Sequence, residues 1–360
     1  MQAPRRPDIR RFASLLVTGG CGFVGSAFIR GLFAGLGFAG RVVNLDALTY
    51  AGNPESLAGA VDPERYVFVH ADIRDTDTVR DVMERYAVDG IVNFAAESHV
   101  DRSIVAPGAF IDTNIVGTFK LLELVRENPT VHFHHVSTDE VYGSLGPTGA
   151  FREDSAYAPS SPYAASKAAS DHLVRAYART YGLSVTISNG SNNYGPYQFP
   201  EKLIPLMILN LFANEPLPVY GDGSNVRDWL HVDDHAEAIW AIARAAPPGE
   251  SYNVGGNAER TNLEVVRALI EAVAHETGRP ISALESLIRF VSDRPGHDER
   301  YAIDASKLRR ELGFSPSRGF EVGLRQTVSW YARNSAWIER VRSGAYREWI
   351  ATHYVDRTLK

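Results

Sequence analysis

The chain has 360 residues, 37 of them Lys or Arg against 43 Asp or Glu, and a formal net charge of −6 at pH 7. This length favours one large domain with a smaller appended region, and the interspersed charges exclude a basic stripe of the kind that binds nucleic acid. No apolar run approaches the roughly 18 residues of a membrane span, and the single cysteine, Cys21, excludes an internal disulfide, so we predict a protein of the cytoplasm.

The first half of the chain alternates short β-branched runs with helical patterns. We predict strands at 15–18, 41–45, 66–70, 90–94, 131–136 and 184–188, and helices at 25–36, 77–86, 109–127 and 162–181. This alternation predicts an α/β fold with a doubly wound parallel sheet, because a helix has to carry the chain back between parallel strands. The longest predicted loop is 143–158.

The pattern changes after residue 196, where prolines and a glycine-rich turn at 220–224 break the alternation. We therefore predict a main domain over residues 12–196, to which the chain returns near 228–255, and a smaller mixed α/β domain over 197–330. Residues 1–11 and 343–360 are predicted tails.

A glycine-rich turn follows the first predicted strand and opens the first helix. Gly19, Gly22 and Gly25 allow a tight turn in which backbone N–H groups, such as those of Phe23 and Val24, approach a pyrophosphate at the helix start. The alternative is a turn that only packs the helix. The order of strand, glycines and helix favours a Rossmann-type dinucleotide site.

Two acidic positions refine this cofactor site. Asp46 ends the second predicted strand, where an acid binds the ribose 2′-OH and disfavours a 2′-phosphate, so we predict NAD rather than NADP. Asp72 and Ile73 follow the third strand and are placed to contact the adenine. The alternative for Asp72 is a helix cap.

Tyr163 and Lys167 are four residues apart and share one face of a predicted helix, with Ser161 as N-cap and Pro162 as its first residue. A cation beside a phenol favours the phenolate. Lys167 is therefore predicted to help Tyr163 act as a base.

The triplet Thr138, Asp139 and Glu140 follows the fifth predicted strand. One interpretation is a helix start, with Thr or Asp as the cap. The other is a catalytic pair of carboxyl groups. Adjacent residues of a regular strand point to opposite faces, so both carboxyl groups can reach one substrate only if the backbone turns here.

With these motifs in order, the chain resembles the extended short-chain dehydrogenase/reductases, and the Asp139 and Glu140 pair makes it similar to their nucleotide-sugar 4,6-dehydratases. Further blocks that carry the resemblance lie at 46–53, 191–205, 227–235 and 293–298. The resemblance runs from about residue 15 to 331 and is closest to members that act on dTDP-glucose. It implies NAD as an internally recycled cofactor and a homodimer formed through the helices at 109–127 and 162–181.

The resemblance also implies a role for each matched residue. Tyr163, aided by Lys167, removes the proton of the sugar O4 while Thr138 binds that oxygen. Glu140 is the base at C5 and Asp139 is the acid that protonates the departing O6. The implied substrate-binding residues are Asn192, Lys202, Arg227, Asn262, Arg294 and His297.

Three alternatives remain at this point: a dehydratase that acts on UDP-sugars, a 4-epimerase or oxidoreductase on the same scaffold, and a non-catalytic NAD-binding protein. No metal site is predicted. The cluster Asp233, Asp234 and His235 is interpreted as a helix start.

Overall fold

The computed structural model describes residues 9–293 and 298–343. The strands of this part of the chain are short, and most are buried. They are β1 Ser14–Thr18, β2 Arg41–Asp46, β3 Tyr66–His70, β4 Gly90–Asn93, β5 His132–Thr138, β6 Val185–Gly190, β7 Asn192–Tyr194, β8 Leu217–Tyr220, β9 Val226–His231, β10 Ser251–Val254, β11 Glu259–Thr261 and β12 Ile288–Val291.

The helices cover both faces of the main sheet and fill the second half of the chain. They are α1 Phe23–Ala34, α2 Thr76–Arg85, α3 Val100–Val105, α4 Gly108–Phe110, α5 Thr118–Glu127, α6 Pro162–Tyr181, α7 Leu203–Ala213, α8 Val232–Ala245, α9 Asn262–Thr277, α10 Ile281–Glu285, α11 Ser306–Leu312, α12 Phe320–Arg333 and α13 Ser335–Ser343. A π-helical segment, Ile111–Gly117, joins α4 to α5, and 3₁₀ turns lie at Pro54–Leu57 and Asp139–Tyr142. No helix among these described residues is long and apolar enough to cross a membrane.

The main sheet confirms the predicted fold class. Seven strands follow the order β10-β6-β5-β4-β1-β2-β3, and every neighbouring pair is parallel. The chain runs outward from β1 through β2 to β3 and then returns to β4 on the other side of β1. Such a reversal opens a crevice at the carboxyl ends of β1 and β4, which is where doubly wound folds bind ligands.

Alternation along β1 divides its side chains between two cores. Leu16 faces the cluster formed with α2, α5 and α6, whereas Leu15 and Val17 face the cluster formed with α1 and α8. All three side chains are fully buried. The helices therefore hold the sheet from both faces, and its carboxyl edge is fixed in position.

The second half of the chain is mixed α/β. It contains a three-stranded sheet, β11-β9-β7, and a two-stranded sheet, β12-β8, around an apolar core that α7, α9 and α12 share. β10 leaves this part of the chain and pairs with β6 at the edge of the main sheet. Arg10, in a predicted tail, is held against the end of α8 through its backbone N–H bond to Arg244 O (2.7 Å).

Buried histidines on β5 form a polar ladder with β6. His134 is fully buried, and its ring nitrogens lie 2.9 Å from Thr186 Oγ1 and 3.0 Å from Ser188 Oγ. His132 repeats the pattern with Ser184 and Thr186. Burial lowers the pKa of His134 to about 3 and that of His132 to about 2, so both rings are neutral at pH 7.

Replacing His134 by Asn is expected to flatten the acid dependence of stability. The unfolded ring binds a proton below pH 6.5 and the folded ring only near pH 3, so folding loses about 2 kcal/mol at this site between pH 7 and pH 5. Urea unfolding at both pH values measures the difference. His275→Asn, on an exposed part of α9, should leave the difference unchanged. An equal acid dependence in the His134 variant and the parent would contradict the prediction.

Candidate active site

A cavity of about 690 Å³ opens at the carboxyl ends of the main strands, between β1 and β4. All the residues predicted to bind the cofactor or perform catalysis line it. These are Gly19, Gly22, Phe23, Val24, Gly25, Asp46, Asp72, Ile73, Thr138, Asp139, Glu140, Tyr163 and Lys167. The fold thus brings the glycine turn, the acidic triplet and the Tyr and Lys pair to one place.

The glycine turn fits a dinucleotide pyrophosphate. Gly19 has φ +68, and a Cβ there would lie 2.7 Å from Ala95 N; a Cβ on Gly25 would lie 2.3 Å from Gly19 O. α1 begins after Gly22 with no side-chain cap and no acidic residue in its first turn. Its first N–H groups and the positive end of its dipole are therefore available to an anion.

Asp46 holds the same turn from the second strand. Its carboxylate accepts hydrogen bonds from Cys21 N and Leu48 N, both at 2.8 Å, and burial raises its pKa. A carboxylate has about four acceptor positions, so two remain for a ribose. Asp46 therefore fixes the glycine turn in addition to facing the cavity, a role that the sequence did not indicate.

Asp72 does not cap a helix. It accepts hydrogen bonds from Arg74 Nε (3.0 Å) and from an Arg74 terminal nitrogen (2.7 Å), while Asp75 caps α2 through Thr78 N. Ile73 is buried. Both residues border the end of the cavity that lies beside β3.

The backbone turns directly after Thr138, as the sequence required. Thr138 is the last residue of β5 and has an extended backbone, and Asp139 begins a 3₁₀ turn. The Thr138 hydroxyl accepts a hydrogen bond from Glu140 N (3.3 Å), so the triplet is a capped turn and also lines the cavity. The triplet can therefore be both a capped helix start and a catalytic pair, because the turn brings both carboxyl groups to one cavity.

The environment of Asp139 favours its neutral form. The side chain is 1% exposed, and burial, then the charge of Glu140, then that of Asp228 raise its pKa well above the usual value. Arg227 opposes the shift. A carboxyl group that keeps its proton near neutral pH can serve as a general acid.

Tyr163 and Lys167 lie on the first turns of α6, which Ser161 caps through Ala164 N, as predicted. Burial and then the charge of Glu140 raise the pKa of Tyr163, whereas a hydrogen bond with Thr138 lowers it. Lys167 Nζ donates to Val136 O (2.8 Å) and lies 3.5 Å from His135 Nε2. The predicted lowering of the phenol pKa by Lys167 is therefore not found, because burial beside Glu140 raises the pKa of Tyr163.

A buried network behind Lys167 was not found from the sequence. Asp171 is fully buried one helical turn beyond Lys167, and it accepts hydrogen bonds from Tyr157 OH (2.8 Å) and Asn189 Nδ2 (3.2 Å). Burial lowers the pKa of Lys167 to about 8, and the charge of Asp171 opposes this shift. The spacing of four residues from Lys167 is the signal that could have identified Asp171.

A second cavity of about 240 Å³ adjoins the first, and the two share Glu140 in their walls. It contains most of the predicted substrate-binding residues, namely Asn192, Lys202, Arg227 and Asn262. Lys202 Nζ donates to Ser98 O (3.1 Å), and a terminal nitrogen of Arg227 donates to Asp298 O (2.9 Å). Arg294 and His297 lie outside the described residues.

The sequence motifs do not identify Trp337 as a cavity residue, because it lies after the last of them in the chain. It lies on α13, is 6% exposed, and lines the first cavity. A single tryptophan on an amphipathic helix looks like an ordinary core residue, so the sequence contains no signal for it. Arg340 ties the same helix to Glu55 at 2.7 Å.

Asp233, Asp234 and His235 begin α8, which confirms the predicted helix start. Asp234 accepts hydrogen bonds from the backbone N–H groups of Ser317 and Arg318. In the described ranges, no group of three or more His, Cys, Asp or Glu side chains is placed to hold a metal ion.

Comparison with known proteins places this geometry in a family. The model of the family described as GDP-mannose 4,6 dehydratase matches residues 16–327. The dTDP-glucose 4,6-dehydratase of Neisseria meningitidis serogroup B is 54% identical over 346 residues, which cover 92% of this chain and 97% of that protein.

Solved structures agree. The dTDP-glucose 4,6-dehydratase of Streptomyces venezuelae, crystallised with NAD and a second ligand, is 49% identical with a TM-score of 0.85, covering 91% of this chain and 99% of that one. The enzyme of the same name from Bacillus anthracis, in complex with NAD, is 45% identical with a TM-score of 0.83 and the same coverage. The chain therefore belongs to the dTDP-glucose 4,6-dehydratase family.

Proposed function

We propose that this protein removes water from dTDP-glucose to give dTDP-4-keto-6-deoxyglucose, with NAD as an internally recycled cofactor. The observation that carries the proposal is that Thr138, Asp139, Glu140, Tyr163 and Lys167 line one cavity with the glycine turn. Sequence identities of 54% and 49%, over nearly the full length of two enzymes that catalyse this reaction by name, support the same conclusion.

The cofactor would lie with its pyrophosphate at the start of α1 and its adenosine between Asp46 and Ile73. When bound, NAD supplies a reversible acceptor for the hydride of C4, which is later returned to C6. Tyr163 takes the proton of O4, with Lys167 providing positive charge nearby. Thr138 orients O4 toward Tyr163 through its hydroxyl.

The two carboxyl groups divide the elimination between them. A ketone at C4 acidifies the C5 hydrogen, which Glu140 removes as a base. Asp139, kept protonated by burial and by the neighbouring charges, gives its proton to O6, which leaves as water. An epimerase eliminates no water, so it needs neither a base at C5 nor an acid at O6. The buried Asp139 beside Glu140 therefore favours the dehydratase.

We place the nucleotide end of the substrate in the second cavity. Arg227 and Lys202 would meet the diphosphate, while Asn192 and Asn262 offer uncharged amides to polar edges. By sequence position Arg294 and His297 belong to the same group. In this proposal residues 12–196, with the return near 228–255, hold the cofactor, and residues 197–330 hold the nucleotide sugar.

The test is turnover of dTDP-glucose without added NAD, measured by the ultraviolet absorbance that a 4-keto-6-deoxy sugar develops in alkali. We expect product and a full complement of tightly held NAD. A parallel assay with UDP-glucose shows whether the protein prefers dTDP-glucose or this alternative substrate. Recovery of only a 4-epimer, or no turnover with NAD fully bound, would refute the proposal.

We also propose a homodimer that buries a patch on the π-helical segment and on α5 and α6. Ile111 is 51% exposed, Phe119 42% and Tyr181 50%, so each of these elements presents a large apolar side chain to solvent that a partner could cover. Light scattering should give twice the mass of the chain. Phe119→Glu should lower the measured mass toward that of one chain. Val322→Glu, at an exposed apolar residue of α12, should leave the mass unchanged. A monomeric parent protein would contradict this arrangement.

A further inference from the structure

Asp171 is a fully buried acid that borders neither the active-site cavity nor the second cavity. It lies one helical turn after Lys167 on α6, and Lys167 is 4% exposed where it borders the first cavity. A charge buried without a partner is costly, so a buried acid and a buried base one turn apart are expected to compensate each other. Asp171 does not reach the substrate and can act on the reaction only through its neighbours.

The hydrogen bonds at Asp171 Oδ2 come from two donors. An arginine cannot accept a hydrogen bond, so Arg175 donates to the Tyr157 oxygen (2.8 Å). The one phenol hydrogen of Tyr157 then points to Asp171 Oδ2 (2.8 Å), and Asn189 Nδ2 donates to the same oxygen (3.2 Å). Burial raises the pKa of Asp171, whereas the charge of Lys167 and these donors lower it. The donors therefore favour the carboxylate.

The ring of His135 presents a third N–H to this acid. Thr18 donates to Asn93 Oδ1 (2.6 Å), which leaves Asn93 Nδ2 to donate to His135 Nδ1 (3.2 Å). Burial lowers the pKa of His135 well below its usual value, so the ring is neutral and carries its hydrogen on Nε2. That nitrogen lies 3.2 Å from Ser170 Oγ and 3.5 Å from Asp171 Oδ1. A proton on Asp171 Oδ1 would face this N–H, so the ionised form is again favoured.

The same tautomer prevents His135 from accepting a hydrogen from Lys167. Lys167 Nζ lies 3.5 Å from His135 Nε2, but that nitrogen already carries its own hydrogen. Lys167 Nζ donates instead to the uncharged Val136 O (2.8 Å). Burial lowers the pKa of Lys167 to about 8, and the charge of Asp171 opposes this shift. The negative charge that compensates the ammonium is thus that of Asp171.

From this geometry, and resting on the proposed function, we infer that Asp171 is a positioning residue whose buried carboxylate keeps Lys167 charged beside Tyr163. The proposed C4 oxidation needs that charge, because Tyr163 takes the O4 proton next to the negative Glu140. A neutral Lys167 would leave the phenolate without the cation on its own helix. Asp171 itself neither gains nor loses a proton in the reaction.

The groups around Lys167 show what a pH effect would report. They are Tyr163, Asp171 and Arg175 on α6, His135 on β5, Tyr157 in the loop before α6, and Asp139 and Glu140 on the turn after β5. The π-helical segment and β6 present the uncharged amides of Asn114 and Asn189. Burial raises the pKa of both phenols and of Asp139, and these groups are the same in the parent and in the variants at position 171.

The direct test is the titration of Lys167 by nuclear magnetic resonance, in protein that contains lysine isotopically labelled at Cε. The chain has five lysines, and the signal absent from Lys167→Gln identifies this one. In the parent it should titrate near pH 8. In Asp171→Asn we expect the midpoint about one pH unit or more lower, because loss of a nearby opposite charge favours the neutral amine.

The rate of C4 oxidation should follow the same titration. It is measured in single turnovers by the near-ultraviolet absorbance of reduced nicotinamide. At about pH 6 Asp171→Asn and the parent should react at similar rates, and at about pH 8 the variant should be about 10-fold slower. A residue that only supports the fold would lower the rate by the same factor at every pH.

Two variants separate the charge of Asp171 from its packing. Tyr157→Phe removes one hydrogen bond and keeps the carboxylate, so Lys167 should titrate as in the parent. Glu311→Gln is the matched control, because Glu311 on α11 also accepts a tyrosine hydroxyl, that of Tyr252 (2.9 Å), and should change neither readout. If Asp171→Asn does not fold, the smaller neutral variant Asp171→Ser takes its place.

The two readouts can each overturn the role of Asp171. An unchanged titration of Lys167 in the neutral variant would show that Asp171 is not its counter-ion. A rate deficit that is equal at both pH values would show that the charge of Lys167 does not govern C4 oxidation. A parent protein that makes no 4-keto product would instead refute the proposed function.

Discussion

Glu140→Gln is expected to abolish formation of the 4-keto-6-deoxy product while C4 oxidation continues. The amide cannot accept the C5 proton, and proton transfer by a positioned group typically accounts for 10²- to 10⁴-fold in rate, so we expect a loss of about 1,000-fold. Tyr163 and Lys167 are unchanged and still take the O4 proton. Adding dTDP-glucose should therefore produce the near-ultraviolet absorbance of reduced nicotinamide without product.

The control for this variant is Glu215→Gln, an exposed residue after α7, which should retain full activity. Asp139→Asn should also fail to make product, because it removes the proton donor for O6 and not the base at C5. Exchange of the C5 hydrogen with solvent distinguishes the two, since only Asp139→Asn retains Glu140. Normal turnover of Glu140→Gln would show that another group is the base.

Gly25→Ala is expected to empty the cofactor site. The added Cβ would lie 2.3 Å from Gly19 O and 2.9 Å from the Gly20 Cα, both backbone atoms that cannot swing aside. Overpacking of this kind costs about 3 kcal/mol, which corresponds to roughly 100-fold weaker NAD binding. Purified protein should contain little NAD, measured by its absorbance after acid release, and should have little activity until NAD is added in excess.

Gly35→Ala is the matched control. Gly35 caps the other end of α1, its φ of 178 is open to any residue, and its Cβ would meet nothing within 4 Å. This variant should hold NAD as the parent does. If Gly25→Ala also retained NAD at the parent level, the proposed seat of the pyrophosphate at the start of α1 would be wrong.

Local patterns were sufficient for most of the fold. α6 begins at Pro162 and ends at Tyr181, as predicted, because its cap and the glycine at its end are local signals. β5 is predicted at 131–136 but extends to Thr138. That difference comes from pairing, since Ser137 and Thr138 are held in the sheet by partners on β6, Asn189 and Gly190.

The sequence by itself determined the parallel α/β architecture and the glycine turn, and it singled out the triplet and the pair that we propose as catalytic, because each depends on residues close together in the chain. Only the tertiary structure decided what surrounds them. Burial beside Asp228 favours the neutral form of Asp139, and the approach of Tyr163 to Asp139 and Glu140 depends on how α6 packs against the end of β5. Protonation is set by solvent exclusion and by charges distant in sequence, and no local pattern encodes these.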